Sequence, residues 1–384
     1  MHYELTEEMT DNNNTPKENN MAAFQPVTKK GNAPVPLSLL DFAVTGQGNS
    51  AIETIQNSIE LAKLADGRGY ARYWVAEHHS MPAISVTSPA VMLSRLIGET
   101  KQIRLGAGGM MLPNFPPLVV AEQFGMLEAM APGRIDLGIG RAPGTDGYTA
   151  TALRRGHSFG AENYIDQLQE LLHFLDDDFP EDDPYKDKVW AVPGPGQDRQ
   201  NGIPRSLNSP SVWLLGSSGY SAQLAGKMGL PFAFAAQLAP ENLLMAFDLY
   251  RKNFQPSEVL DKPHTLACFG VYAAETEKEA LLQTESFAHS MMRMMRGLSY
   301  LMPSPEALAR YPYTAQERQL MEGWRHRMFY GTGETVVKSL NEVQKRSEAD
   351  ELMIVNLGHS PKGILRSAEL IADAYQMPSG LTDL

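Results

Sequence analysis

Short apolar runs that alternate with helix-patterned segments in one repeating order leave a chain few ways to bury its strands, and from Pro36 this sequence shows that order eight times. PLSLLDFAV is followed by AIETIQNSIELAKLADGRGY, with Ile52, Ile55, Ile59 and Ala62 at helical spacing. YARYWVAE precedes a helix for which Ser88 supplies the N-cap and Pro89 the first helical position. IRLGAGGMML precedes LVVAEQFGMLEAM, opened by Pro116 and Pro117 and stopped at Ala131-Pro132-Gly133. RIDLGIG, SVWLLGSS, LPFAFAA, TLACFGVYAA and ADELMIVNLG complete the strand set. Repeated strand-helix units build a parallel sheet, and eight of them close it. The expected fold class is therefore α/β: a single (β/α)8 TIM barrel with insertions, over residues 34–384.

Three segments stand outside this order. Residues 1–33 are polar and acidic, lack the charged-then-apolar layout of a secretory signal, and read as a disordered N-terminal tail. A loop insertion at about 175–210 carries the run DDDFPEDDPYKDK. Its carboxylates lack the alternating spacing and turn glycine of a hard-cation loop, so a solvated insertion is expected rather than a metal site. Residues 275–333, with the Met- and Arg-rich MMRMMRG, are too long for one crossover. An amphipathic core helix and a lid over the barrel mouth are compatible readings of this stretch.

Composition removes several function classes. A single cysteine, Cys268, excludes a disulfide scaffold and CxxC-type zinc sites and favours a cytoplasmic protein. With 45 acidic against 33 basic side chains, a formal charge of −12 and no basic patch, nucleic acid is not an expected partner. No apolar run approaches the ~20 residues needed to cross a bilayer, so no membrane partner is expected either.

In such a barrel the functional groups sit after the strands, at their C-terminal ends. In WVAEHHSMP, Glu77, His78 and His79 are consecutive and point alternately, so they do not converge on a metal; one histidine is expected to face the mouth. In LGAGGMMLP, Gly106, Gly108 and Gly109 leave a strand end bare, either for a flat ring lying on backbone or for tight interior packing. In DLGIGRAPGTD the glycines Gly138, Gly140 and Gly144 are spaced one residue too long for a dinucleotide fingerprint, whereas Arg141 suits an anion clamp. In LLGSSGYSAQLAG, Gly216, Ser217, Ser218, Gly219 and Ser221 exceed what ordinary capping needs and form a phosphate cradle at a helix start. Neither G-x-S-x-G nor S-x-x-K occurs there, which argues against a serine hydrolase. Together these junctions suit a phosphate-bearing planar cofactor. Substrate choice is expected to reside in the lid and in the loops after Asp41 and Ala236.

The blocks PLSLLDFA, WVAEHHSMP, GAGGMMLPNFPPLVVAEQFGMLEAMAPGRIDLGIGRAPGTD and VWLLGSSGYSAQLAGKMGLPFAFA together resemble the bacterial luciferase-like flavin-dependent monooxygenases, in particular a single-gene bacterial subgroup, over about residues 34–378. The resemblance implies a barrel, usually a homodimer, that uses reduced FMN and molecular oxygen to oxygenate a small organic substrate through a flavin 4a-hydroperoxide. A separate flavin reductase would be the FMNH2 donor. By position, His78 matches the family's active-site histidine, with Glu77 its neighbour in the same motif. Gly108 and Gly109 match the strand end where the family often has a non-prolyl cis peptide or bulge against the flavin ring. Arg141 matches the arginine that reaches the flavin phosphate, and Ser217, Ser218 and Ser221 match the phosphate-binding turn. Gly140 stands where the light-emitting enzyme has a cysteine, and LPFAFAA lacks that enzyme's aromatic, so light emission is not carried over. Two alternatives stay open: a deazaflavin-dependent hydride-transfer oxidoreductase and a non-catalytic flavin-binding protein.

Overall fold

The computed structural model describes residues 24–142, 144–154 and 163–379. Among them β1 (Leu37–Asp41) leads to α1 (Ala51–Arg68), β2 (Arg72–Val75) to α2 (Pro89–Ile97), and β3 (Arg104–Met111) to α3 (Pro117–Met130). After β4 (Ile135–Gly140) come α4 (Gly147–Arg154), α5 (Tyr164–Asp176) and α6 (Pro195–Gln200). β5 (Ser211–Gly216) leads to α7 (Gly219–Lys227) and β6 (Phe232–Ala235) to α8 (Leu243–Asn253). After β7 (Thr265–Ala273) come α9 (Glu277–Met295), α10 (Pro305–Leu308) and α11 (Ala315–Arg325). β8 (Met328–Gly331) with α12 (Gly333–Ser347), then β9 (Glu351–Asn356) with α13 (Pro361–Ala374), end the order.

Consecutive strands from β1 to β7 pair in parallel, and β9 pairs with both β7 and β1, closing an eight-stranded barrel. The expected barrel is thus present, but the last predicted strand is β9, because 275–333 contains a further strand. β8 pairs with Gly270–Ala273 in the upper half of β7, whereas β6 pairs only with Thr265–Cys268 below. β7 outruns β6, and its exposed backbone groups at the rim need a partner, which β8 supplies.

The barrel interior is layered. At the closed end, Arg72 donates to Glu351 through Nε and Nη2 at 2.8 and 2.9 Å and to Asp136 through Nη1 at 2.8 Å. Arg104 adds Nη2 to Asp136 at 2.7 Å and to the Ser211 hydroxyl at 3.0 Å. Burial alone would raise the Glu351 carboxyl, yet the Arg72 guanidinium and His264 outweigh it and hold it at about 2. Above this layer Trp74 and Trp213 meet edge to face at 5.4 Å. A methyl group on Gly106 would lie 2.7 Å from both Trp74 and the Asp136 Cβ, so the glycine is set by this packing.

Several local expectations shift. Ser50 and Glu53 form a capping box at α1, but Ile52 is 83% exposed; the inward face holds Ser58, Ile59, Ala62 and Ala65. Ser88 is the N-cap of α2 with Pro89 next, although its hydroxyl makes no cap bond. Of the predicted tail 1–33, residues 1–23 lie outside the described residues, and of the remainder, which is mostly exposed, Phe24 and Ala33 pack on the barrel. Phe24 sits 5.3 Å from the Trp213 ring and 5.6 Å from the Arg72 guanidinium, and the Asn32 amide donates to Tyr375 O at 2.7 Å. The predicted insertion is stitched rather than merely solvated: Asp176 is buried and accepts from Ser209 Oγ at 2.7 Å, and Arg199 bridges Asp177 and Asp187.

Removing Arg72 takes the only arginine from the buried Glu351, leaving it with His264, and one of two arginines from Asp136. Arg72→Met is expected to lower unfolding stability by about 3–5 kcal/mol, read by urea denaturation at pH 7. Because the folded Glu351 value is depressed from 4.5 to about 2, this contribution is complete above 4.5 and is lost as pH falls through 2, so the gap should narrow in acid.

Candidate active site

The strand ends open onto a cavity of about 290 Å³, the scale of a small-molecule site. Phe42 follows β1; His78, Met81 and Ile84 follow β2; Gly108, Gly109 and Met111 end β3; and Gly140, Arg141 and Ala142 mark the end of β4. Leu215, Gly216, Ser217, Ser218 and Ser221 come from the β5–α7 junction, Ala235, Gln237 and Leu238 from the end of β6, and Leu357 from the end of β9. Phe287, Met291 and Met294 of α9, with Tyr300, supply the rest of the lining. Of the methionines in that stretch, Met292 packs with Met321 in a separate buried cluster, so the core-helix and cavity-cover readings apply to different residues of one helix.

Strand alternation sorts the AEHH block. Glu77 is buried and accepts from Met111 N at 2.9 Å, Asn114 Nδ2 at 3.0 Å and His79 Nε2 at 2.8 Å. Neither Glu77, expected as a catalytic group, nor His79 lines the cavity; the Glu77 carboxylate ties the ends of β2 and β3 together. His78 points the other way, into the cavity, its ring 5.2 Å from that of Phe42. Its Nδ1 lies 3.3 Å from Gly144 O; a carbonyl only accepts, so Nδ1 carries the proton and Nε2 keeps its lone pair. Burial pushes the imidazole below its ordinary value, against the pull of the Gly144 carbonyl and the Glu77 charge.

The glycines answer both readings. The peptide between Gly108 and Gly109 is cis, and the pairing with β4 shifts register between Gly108 and Met110. A methyl on Gly108 would lie 2.8 Å from Leu40 and 3.0 Å from Trp74, and one on Gly109 would lie 2.9 Å from Leu215. Packing from below therefore demands glycine, and the bare backbone is what the cavity meets from above.

The groups expected to form an anion cradle make no hydrogen bond or ion pair through their side chains among the described residues. Arg141 makes no ion pair among the described residues; its guanidinium lies 4.3 Å from the Tyr220 ring centroid. Ser218 is the N-cap of α7 but makes no side-chain cap bond, and Ser217 and Ser221 have no hydroxyl partner among the described residues. A methyl on Gly216 would lie 2.5 Å from the Ser221 Cβ, so this glycine lets the helix start close over the strand end. Gly219 does not line the cavity; a methyl there would meet Leu249 of α8 at 2.8 Å. Sequence reasoning missed Gln237, Tyr300 and Leu357 individually, and only the position of Gln237 just after Ala236 pointed to it. No group of three or more metal-ligating side chains occurs among the described residues, and no helix among them is long and apolar enough to cross a membrane.

A family model described as luciferase-like monooxygenase matches residues 36–346. The chain belongs to the luciferase-like monooxygenase family. A luciferase-like monooxygenase of Escherichia coli strain K12 is 40% identical over 342 residues, covering 89% of this chain and 97% of that protein. The N-acetyl-S-alkylcysteine monooxygenase of Bacillus subtilis strain 168 is 38% identical over 249 residues, covering 64% and 69%. The crystal structure of apo-MsnO8 superposes with a TM-score of 0.76 at 32% identity, covering 89% of this chain and 98% of that one.

The geometry at His78 yields a direct expectation. In nitrogen NMR its midpoint should fall below 6.5, with the neutral Nδ1–H tautomer at pH 7. A midpoint above 6.5 would mean that burial does not dominate its environment.

Proposed function

We propose that this luciferase-like protein is an FMN-dependent monooxygenase, the oxygenase component of a two-component system. It would take reduced FMN from a separate flavin reductase and use molecular oxygen to oxygenate a small organic substrate. The observation that carries this reading is the set of unengaged polar groups at one edge of the cavity. Arg141, Ser217, Ser218, Ser221 and the first N–H groups of α7 are the donors a phosphate monoester requires, and they lie beside a floor with no side chains on which a flat ring can rest.

When bound, reduced FMN supplies the two electrons with which oxygen is divided, one atom going to the substrate and the other to water. The residues of the chain do the rest. Arg141 and the serine turn hold the phosphate, and the backbone at Gly108 and Gly109 takes the flat ring. His78, neutral near pH 7 with its Nε2 lone pair free, accepts or returns a proton at the reacting centre. Phe287, Met291, Met294 and Tyr300 cover the cavity as the inner face of a lid and exclude water from it. Glu77 acts through β2 and β3 as a positioning residue.

The domain reading is one barrel with this lid as its principal insertion. The exposed apolar residues Val91 on α2 and Val119, Met126 and Met130 along one stripe of α3 support a homodimer. The buried, unpaired Cys268 fits a cytoplasmic protein.

Titration of the purified protein with FMN, riboflavin and the deazaflavin F420 tests the cofactor. FMN should bind tightest, and Arg141→Ala should weaken FMN by roughly tenfold or more while leaving riboflavin, which lacks the phosphate, unchanged. Tighter binding of the deazaflavin would transfer the protein to hydride-transfer chemistry. Oxygenated product formed with reduced FMN, oxygen and a substrate panel distinguishes an enzyme from a flavin-storage protein. His78→Ala should lower product formed per oxygen consumed, and in the wild type that yield should fall as pH drops through the His78 midpoint and the imidazole gains a proton.

A further inference from the structure

The cavity divides by chemistry. Its β3–β5 side holds Arg141 and the three serines, which the FMN reading assigns to the phosphate. The opposite side, built from the ends of β6 and β9, from α9 and from Tyr300, is lined by Leu238, Phe287, Met291, Met294 and Leu357. Arg141 is the sole lysine or arginine lining the cavity among the described residues, and no carboxylate lines it.

Two polar groups interrupt the apolar side, Gln237 and Tyr300. Gln237 is 6% exposed, and its backbone N–H is fixed to Cys268 O at 3.1 Å. Its Oε1 is buried with no hydrogen-bond partner, and its Nε2 has none among the described residues. Tyr300 is 7% exposed, and its hydroxyl likewise makes no bond among the described residues. Buried amides in folded proteins are nearly always paired, and the exceptions need a reason. Packing supplies none here, because an aliphatic side chain would fill the same wall without a stranded carbonyl.

We propose that Gln237 determines substrate specificity, and that the substrate is a neutral, mainly apolar molecule whose one hydrogen-bonding group, a carboxamide or similar donor-acceptor group, pairs with the Gln237 amide. A carboxylate or ammonium on this side would be desolvated without a counter-charge. An amide both gives and accepts a hydrogen bond, so a ligand amide can pair with the end of the Gln237 amide that faces the cavity, whereas a purely apolar ligand cannot. The inference rests on the FMN reading, since it assumes that Arg141 is committed to the phosphate.

The test uses the full chain loaded with FMN. Methylthiopropionamide and methylthiopropionate, matched in size and different in charge, are titrated by calorimetry against the wild type, Gln237→Leu and Gln237→Met, with the thermal midpoint as a fold control. The wild type should bind the amide roughly tenfold tighter than the carboxylate. Both variants should lose most of that preference through weaker amide binding. Equal affinity for the two probes in the wild type, no binding of the amide at millimolar concentration, or unchanged amide affinity in both folded variants would overturn the proposal. Wild-type FMN affinity is read first. Its absence removes the FMN reading and this inference with it; its presence without amide preference removes this inference alone.

Discussion

Arg72 lies at the closed end of the barrel with its guanidinium divided between Glu351 on β9 and Asp136 on β4, out of reach of water. Arg104 faces the same Asp136, so two cations meet two carboxylates in one sealed layer. Side chains alternate along a strand, and a slip of one residue in β2 would turn Tyr73 inward and leave Arg72 among the helices. An unpaired guanidinium in that position is far more costly than a lost apolar contact. The network therefore fixes the registers of β2, β3, β4 and β9, the strands whose upper ends present His78, Gly108, Arg141 and Leu357 to the cavity. Charge at one end of the barrel sets the geometry of the other.

The tryptophans carry that constraint upward. Trp74 stands above Arg72 on the same face of β2, and its indole N–H donates to Asp136 at 2.9 Å. Trp213 crosses it and covers the Arg72 guanidinium at 4.8 Å. Trp74, together with Asp136 at Gly106 and Leu40 at Gly108, leaves no room for a Cβ at either glycine. The bare floor and the tight interior are thus one constraint met from opposite sides: the residues removed to admit Trp74 also remove the side chains that would stand between the backbone and a flat ligand.

What was readable in the sequence was local. Each strand-helix pair shows its own periodicity and start signal, and each block at the mouth lies within about ten residues of a single strand end, so the barrel, His78, Arg141 and the serine turn could be found without knowing what they face. Features decided by distant partners were not readable. β8 is four residues, MFYG, and exists as a strand because β7 outruns β6. Phe24 sits in a polar segment, and its burial depends on Trp213 and His264. Ile52 matched the helical period, yet the small residues Ser58, Ala62 and Ala65 allow α1 to lie close to the barrel, leaving Ile52 outside. The Glu77 carboxylate was assigned by its neighbour in sequence, and only the positions of Met111 and Asn114 reveal which way it turns.

The formal charge of −12 says little about this cavity, because exposed charges are screened within about 8 Å at physiological salt. The nearer carboxylate, Glu77, is buried and already accepts three hydrogen bonds, so it does not compete for Arg141. The distribution of satisfied and unsatisfied groups carries more meaning than their number. At the closed end, Arg72, Arg104, Asp136 and Glu351 satisfy one another. At the open end, the Arg141 guanidinium, which rests on the Tyr220 ring, the Ser217, Ser218 and Ser221 hydroxyls and the Gln237 amide have no hydrogen-bond or ion-pair partner among the described residues. Folding alone favours pairing such groups or replacing them with apolar ones. Polar groups of this kind gathered at one cavity are the pattern expected when the missing partners arrive with a ligand.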